Sequence, residues 1–144
     1  MAGSSGGSWM RRSGRGGLCS VPGAGVWCEK HVGVVCSGYG ECFVRQLAAK
    51  DVCSALLGGD RKKGVMDVIR RLEEDQERMK IVLPSCFGVV ASYEDEGKRH
   101  VLCCHSSKMM GFGYYDGKET RTVLSEQRED KECVYYDVVV LCVC

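Results

Sequence analysis

The chain has 144 residues, 44% hydrophobic and 27% charged, which describes a globular domain, or a large piece of one, with a real core. A formal net charge of +1 argues against a general nucleic-acid or membrane binder, which carries a marked basic excess. No apolar stretch is long enough to span a bilayer, and the start lacks the charged-then-apolar layout of a signal peptide.

Residues 1–17 are rich in Gly, Ser and Arg, with Trp9-Met10 interrupting an otherwise linker-like run. Composition alone reads this as a flexible loop or a small Arg/Gly tail. A Gly/Pro-punctuated loop over Leu18 to Trp27 leads to a strand at Val32 to Cys36. The run Ser37-Gly38-Tyr39-Gly40-Glu41 then turns into a helix expected over about Glu41 to Leu57, with Val44, Leu47, Ala48, Val52, Ala55 and Leu56 on its core face. A hydroxyl and backbone N–H groups at such a corner favour a negative charge, whether a carboxylate or the oxyanion of acyl transfer. The plainer alternative is an ordinary capped helix with glycines for the bend. Tyr39 would either line a pocket or shield the helix start.

Gly58-Gly59 ends that helix, and a second is expected over Lys62 to Met79 with Val65, Val68, Ile69 and Leu72 inward. Its tail, Glu73 to Arg78, reads as a solvated end. Beyond Pro84 the period changes to that of strands. Cys86 to Tyr93 and Arg99 to Ser106 pair across an acidic turn at Glu94 to Gly97, and Lys108 to Tyr115 forms a third strand closed by Asp116-Gly117. Glu119 to Glu132 is charged and weakly patterned, and Val134 to Cys144 reads as a buried strand. The order predicts one α+β domain over 1–144, with two helices on a largely antiparallel sheet.

The 11 cysteines are odd in number and contain no C-x-x-C. Most of them read as reduced core residues of a cytoplasmic or nuclear protein rather than as a disulfide framework or a metal centre. No metal or other cofactor is expected. His31, His100 and His105 read as structural, and the acidic residues 94–96 as a hairpin tip.

Five blocks occur in succession: Ser4-Ser5-Gly6-Gly7-x-Trp9, Gly14-Arg15-Gly16-Gly17, Gly23-x-Gly25-x-Trp27-x-Glu29, the Ser37-Gly38-x-Gly40-Glu41 turn, and Phe43-Val44-Arg45. This series resembles the β-subunit of threonine aspartases (taspase), in the asparaginase/isoaspartyl-peptidase branch of the N-terminal-nucleophile hydrolases. The likeness is close to about Leu57 and looser through Tyr115.

The resemblance implies a four-layer αββα sandwich, autoprocessing, and an N-terminal threonine nucleophile whose own amine is the base. Taspase-type members cleave proteins after aspartate. Their relatives hydrolyse asparagine or isoaspartyl dipeptides. Carried over by position, Ser5 is the hydroxyl beside the nucleophile and Arg15 grips the substrate carboxylate, a role suited to guanidinium. Ser37 and the Gly38 N–H form the oxyanion pair, and Gly40 lets the backbone approach the ligand. Asparaginases carry an aspartate after the Gly-Arg block, where this chain has Leu18, which favours the protein-cleaving branch.

In the family the nucleophile precedes the Ser-Ser-Gly-Gly block, whereas this sequence begins inside that block and its only threonines are Thr120 and Thr122. The resemblance therefore implies an N-terminally truncated β-subunit, inactive as written. Its expected partners are a protein substrate and the missing α-subunit or N-terminal segment, or a full-length relative, in a heterodimer-based oligomer. The alternatives are a non-catalytic binding or assembly module and an asparaginase or isoaspartyl-peptidase relative.

Overall fold

A computed structural model describes residues 17–127 and 133–140. A 3-10 turn at Leu18–Ser20 leads to strands β1 (Val26–Glu29) and β2 (Val32–Ser37). Three helices follow: α1 (Gly40–Gln46), α2 (Ala48–Leu57) and α3 (Arg61–Arg78). Strands β3 (Gly88–Asp95), β4 (Lys98–His105), β5 (Met109–Tyr115), β6 (Thr120–Glu126) and β7 (Val134–Val140) complete the described chain. Five strands form one sheet in the order β1-β2-β3-β4-β7, every pairing antiparallel, while β5 and β6 form a separate hairpin.

The class is α+β, and the helices and sheet share one buried core. Period-2 alternation places Val34, Cys36, Val89, Ala91, Leu102 and Cys104 in that core, against Phe43, Val52, Cys53, Leu56, Val65, Val68, Ile69 and Leu72 of the helices. The β5–β6 hairpin crosses part of the opposite sheet face, where Cys103 Sγ lies 3.7 Å from Met110 Sδ and the Phe112 and Tyr136 rings meet edge to face at 5.3 Å.

α3 forms as its spacing predicts. Asp60 caps it by accepting from Lys63 N–H at 3.1 Å, and Val65, Val68, Ile69 and Leu72 are all buried. The β3–β4 hairpin also forms as expected, its tight turn made by Glu96 (φ 48°) and Gly97 (φ 73°).

Several expectations are corrected. The single helix over Glu41 to Leu57 is two, broken at Leu47, whose backbone is left-handed at φ 51°, ψ 47°. The break resets the helical phase, so Cys42 and Phe43 turn inward while Val44 and Leu47 stay 39% and 41% exposed. It also frees two early α2 amides to be capped from outside: Ala49 N–H donates to Ala24 O at 3.1 Å and Lys50 N–H to Gly23 O at 2.9 Å. The described residues thus hold three helices, not two.

The α3 tail is only partly a solvated end: Glu74, Glu77 and Arg78 are exposed, but Asp75 and Gln76 are buried. Burial is tolerated because Arg45 and Arg78 approach Asp75, and Gln76 Nε2 donates to Leu83 O at 2.6 Å. Part of the loop read over Leu18 to Trp27 is strand β1, and the weakly patterned segment after Glu119 contains strand β6. Over its described residues β7 is an edge strand with Asp137 and Val139 exposed, not a buried one, because among the described residues only β4 pairs with it; Leu141 to Cys144 lie outside the described residues.

Candidate active site

Ser37, Gly38 and Gly40 are brought together where β2 passes into α1. Ser37 is the last residue of β2, paired with Gly88 of β3, and it is exposed. Gly38 adopts φ 145°, a conformation that L side chains rarely adopt. A Cβ there would sit 2.8 Å from the Phe43 ring and 2.9 Å from Cys86 O, so both the backbone and the space demand glycine. Gly40 opens α1 against Leu18, whose Cβ lies 3.6 Å from where a Gly40 Cβ would project.

α1 has only seven residues, and Tyr39, its N-cap, makes no side-chain capping bond. Helix-dipole stabilisation at this corner is correspondingly small. Any negative charge held at this turn would depend on the Ser37 hydroxyl and the local backbone amides.

Tyr39, expected either to line a pocket or to shield the helix start, and several residues the sequence did not single out surround the turn. Tyr39 donates its hydroxyl to Pro84 O at 3.5 Å and packs edge-on to Phe87 at 6.0 Å. The Tyr39 hydroxyl's pKa is raised, first by desolvation and then by the neighbouring Cys86 thiol. Cys42, behind the turn, is likewise raised by burial and by the Asp75 carboxylate. On the opposite sheet face Met110 Sδ lies 2.7 Å from where a Gly88 Cβ would sit, so the hairpin roofs the strand beside Ser37.

His105 stands in the same cross-strand row, two strands from Ser37 through Gly88. At about 4.8 Å per strand the separation is roughly 10 Å, too far for His105 to act as its base. Both imidazole nitrogens are already engaged, Nδ1 at 2.9 Å from Ser107 O and Nε2 at 2.9 Å from Ser125 Oγ. Burial lowers its pKa, which keeps the ring neutral. His100 stacks on Tyr93 at 4.7 Å and faces Asp137 at 3.3 Å, while His31 is exposed in the β1–β2 turn.

Ser5 and Arg15 lie outside the described residues. Thr120 and Thr122 are exposed on β6, opposite Tyr115 and Gly113 and away from Met110. At about 3.4 Å per residue, those two partners lie roughly 17 and 10 Å along β5 from Met110, so neither threonine reaches the turn. Among the described residues no group of three or more His, Cys, Asp or Glu is placed to hold a metal ion, and no helix is long and apolar enough to cross a membrane. Asp95, in the acidic hairpin, instead forms a bidentate pair with Arg61 at 2.8 Å on both arms.

A comparison with curated proteins returns no match. The family model described as asparaginase matches residues 1–124, a span that includes the β2–α1 turn, all three helices and the strands through most of β6. That covers most of the 144 residues, and the chain belongs to the asparaginase family of N-terminal-nucleophile hydrolases.

Proposed function

We propose that the chain supplies the oxyanion half of a threonine-type hydrolase site of the taspase kind, cleaving polypeptides after aspartate. The observation that carries this reading is the Ser37-Gly38 corner, exposed at a strand end and able to accept only glycine at its second position. As the nucleophile attacks the scissile carbonyl, the developing oxyanion accepts hydrogen bonds from the Ser37 O–H and the Gly38 N–H. Arg15 holds the aspartate carboxylate, and Ser5 adds a hydroxyl beside the nucleophile.

The nucleophile comes from a threonine-led segment beyond these residues, since Thr120 and Thr122 are far from the turn. That segment and the α-part complete the second sheet and helix layer of an αββα sandwich around a heterodimer. Leu18 in place of an aspartate favours a polypeptide substrate over free asparagine. The remoteness of both threonines equally favours a second reading, a binding or assembly module of the same family.

Steady-state kinetics on the enzyme assembled with its nucleophile-bearing segment test the oxyanion role. Ser37→Ala is expected to lower kcat about 100-fold with KM little changed, the size typical of losing one oxyanion donor. Unchanged kcat in that variant overturns the assignment.

A further inference from the structure

Cys104 and Cys133 meet on the helix-facing side of the sheet. Cys104, in β4, is fully buried in the core, and Cys133, just before β7, is half-buried and packed against that core. The register pairs Cys104 with Tyr135, so Cys133, two residues earlier, stands diagonally across from Cys104. The two thiols are hydrogen-bonded to each other. Cys103, next to Cys104 in sequence, points to the other face, where its Sγ lies 3.7 Å from Met110 Sδ. The chain between Cys104 and Cys133 contains the whole β5–β6 hairpin, Met109 to Glu126. Side chains that fix this hairpin to the sheet include Met110, Phe112 against Tyr136, and Ser125, whose Oγ is 2.9 Å from His105 Nε2.

We propose that Cys104 and Cys133 form a reversible disulfide on exposure to hydrogen peroxide, closing the base of the β5–β6 hairpin and clamping it to the sheet. Cys133, the accessible partner, reacts first. Its sulfur attacks a peroxide oxygen, giving a sulfenic acid and one water. Cys104 then attacks the sulfenic sulfur, the S–S bond forms, and the displaced hydroxyl leaves with the Cys104 proton as a second water. Two thiols are oxidised and one peroxide is reduced. Cys104 is unsuited to the first step, because its hydrogen bond to Cys133 and its burial both raise its pKa. Oxidation of Cys133 removes the first of those causes. Diagonal partners in an antiparallel pair lie about 7–8 Å apart, slightly beyond the usual Cα separation of a disulfide. Cys133, which precedes β7 rather than lying inside it, closes that gap by a shift of about 1 Å. A bond under such strain is easier to reduce, as a switch requires.

Peptide mapping by mass spectrometry on the full chain, after hydrogen peroxide and blocking of free thiols, tests this. A linked Cys104–Cys133 peptide is expected, and dithiothreitol should remove it. The same link is expected in C103S, which separates Cys104 from its neighbour, and none in C133S. Hydrogen exchange over Met109 to Glu126 should slow about tenfold in the oxidised wild type and stay unchanged by peroxide in C133S. Cys133 found unmodified, as a sulfinic acid, or linked to another cysteine overturns the proposal. So does a link that dithiothreitol fails to reverse, or a link that leaves exchange over the hairpin unchanged.

Discussion

Arg45 of α1 reaches Asp75 of α3, its Nε 3.4 Å from Oδ2, and the carboxylate is only 8% exposed although it sits in the most charged part of the chain. This contact, with Gln46 Nε2 donating to Arg71 O at 2.8 Å, fastens the short helix that follows the Ser37-Gly38 turn. The two ends of the pair differ in what their loss costs. Arg45 is largely solvated, so Arg45→Ala is expected to cost under about 1 kcal/mol. Asp75 also faces Arg78 at 3.6 Å, and Asp75→Ala is expected to cost about 1–3 kcal/mol. Urea unfolding of both variants checks the asymmetry, and equal losses would contradict it.

Gly38→Ala should be damaging for two reasons that add. The backbone at φ 145° resists any side chain, and the methyl would press on Cys86 O and the Phe43 ring. A loss of about 1–3 kcal/mol in stability is expected, together with loss of turnover in the assembled enzyme. A variant as stable as wild type, measured by denaturant titration, would mean that the turn is not held as described.

His105 gives stability a pH dependence. Burial lowers its folded-state pKa below the ordinary imidazole value of about 6.5. As pH falls through that value the unfolded chain takes up a proton that the folded chain does not, so stability falls until the folded-state pKa is reached. The slope is at most about 1.4 kcal/mol per pH unit. Urea midpoints at pH 7.5 and 5.5 should therefore separate for the wild type and move closer together for His105→Gln. A gap as wide in the variant would assign the effect elsewhere.

Leu47 carries the left-handed backbone between α1 and α2 although it is a leucine, a conformation that costs about 1–2 kcal/mol for a residue with a Cβ. Its side chain is partly solvated. Leu47→Asn is therefore expected to leave stability unchanged or raise it by up to about 1 kcal/mol in thermal or urea unfolding. A loss above about 1 kcal/mol would show that the leucine packs more than its exposure indicates.

Much of the fold is legible along the chain. α3 announces itself by Val65, Val68, Ile69 and Leu72 at helical spacing behind an Asp60 cap, and the β3–β4 hairpin by its turn at Glu96-Gly97. What stays hidden has tertiary causes. No Gly or Pro marks the break at Leu47, which is stabilised by carbonyls of Gly23 and Ala24. β1 lies in a Gly/Pro-rich stretch and forms because β2 pairs with Val26 to Glu29. β6 is rich in polar residues and exists as the partner of β5. Asp75 and Gln76 look solvated in a run of charges, yet the fold places Arg45 and the Leu83 carbonyl against them.

The site divides in the same way. Ser37, Gly38 and Gly40 are contiguous and can be read from a strand-turn-helix order. Tyr39's bond to Pro84, the Cys86 carbonyl behind Gly38 and Met110 over Gly88 join residues 45, 48 and 22 positions apart, as counted along the chain. Only the packing of β3 and the hairpin brings them together.

The measurement that bears most directly on the central claim is mass spectrometry of the endogenous protein, purified with whatever polypeptide accompanies it. The account predicts a threonine-led segment, either continuous with the Ser4-Ser5-Gly6-Gly7 block or bound to this chain. Endogenous protein that starts at Met1 with no threonine-led companion would contradict it and leave a binding module in its place.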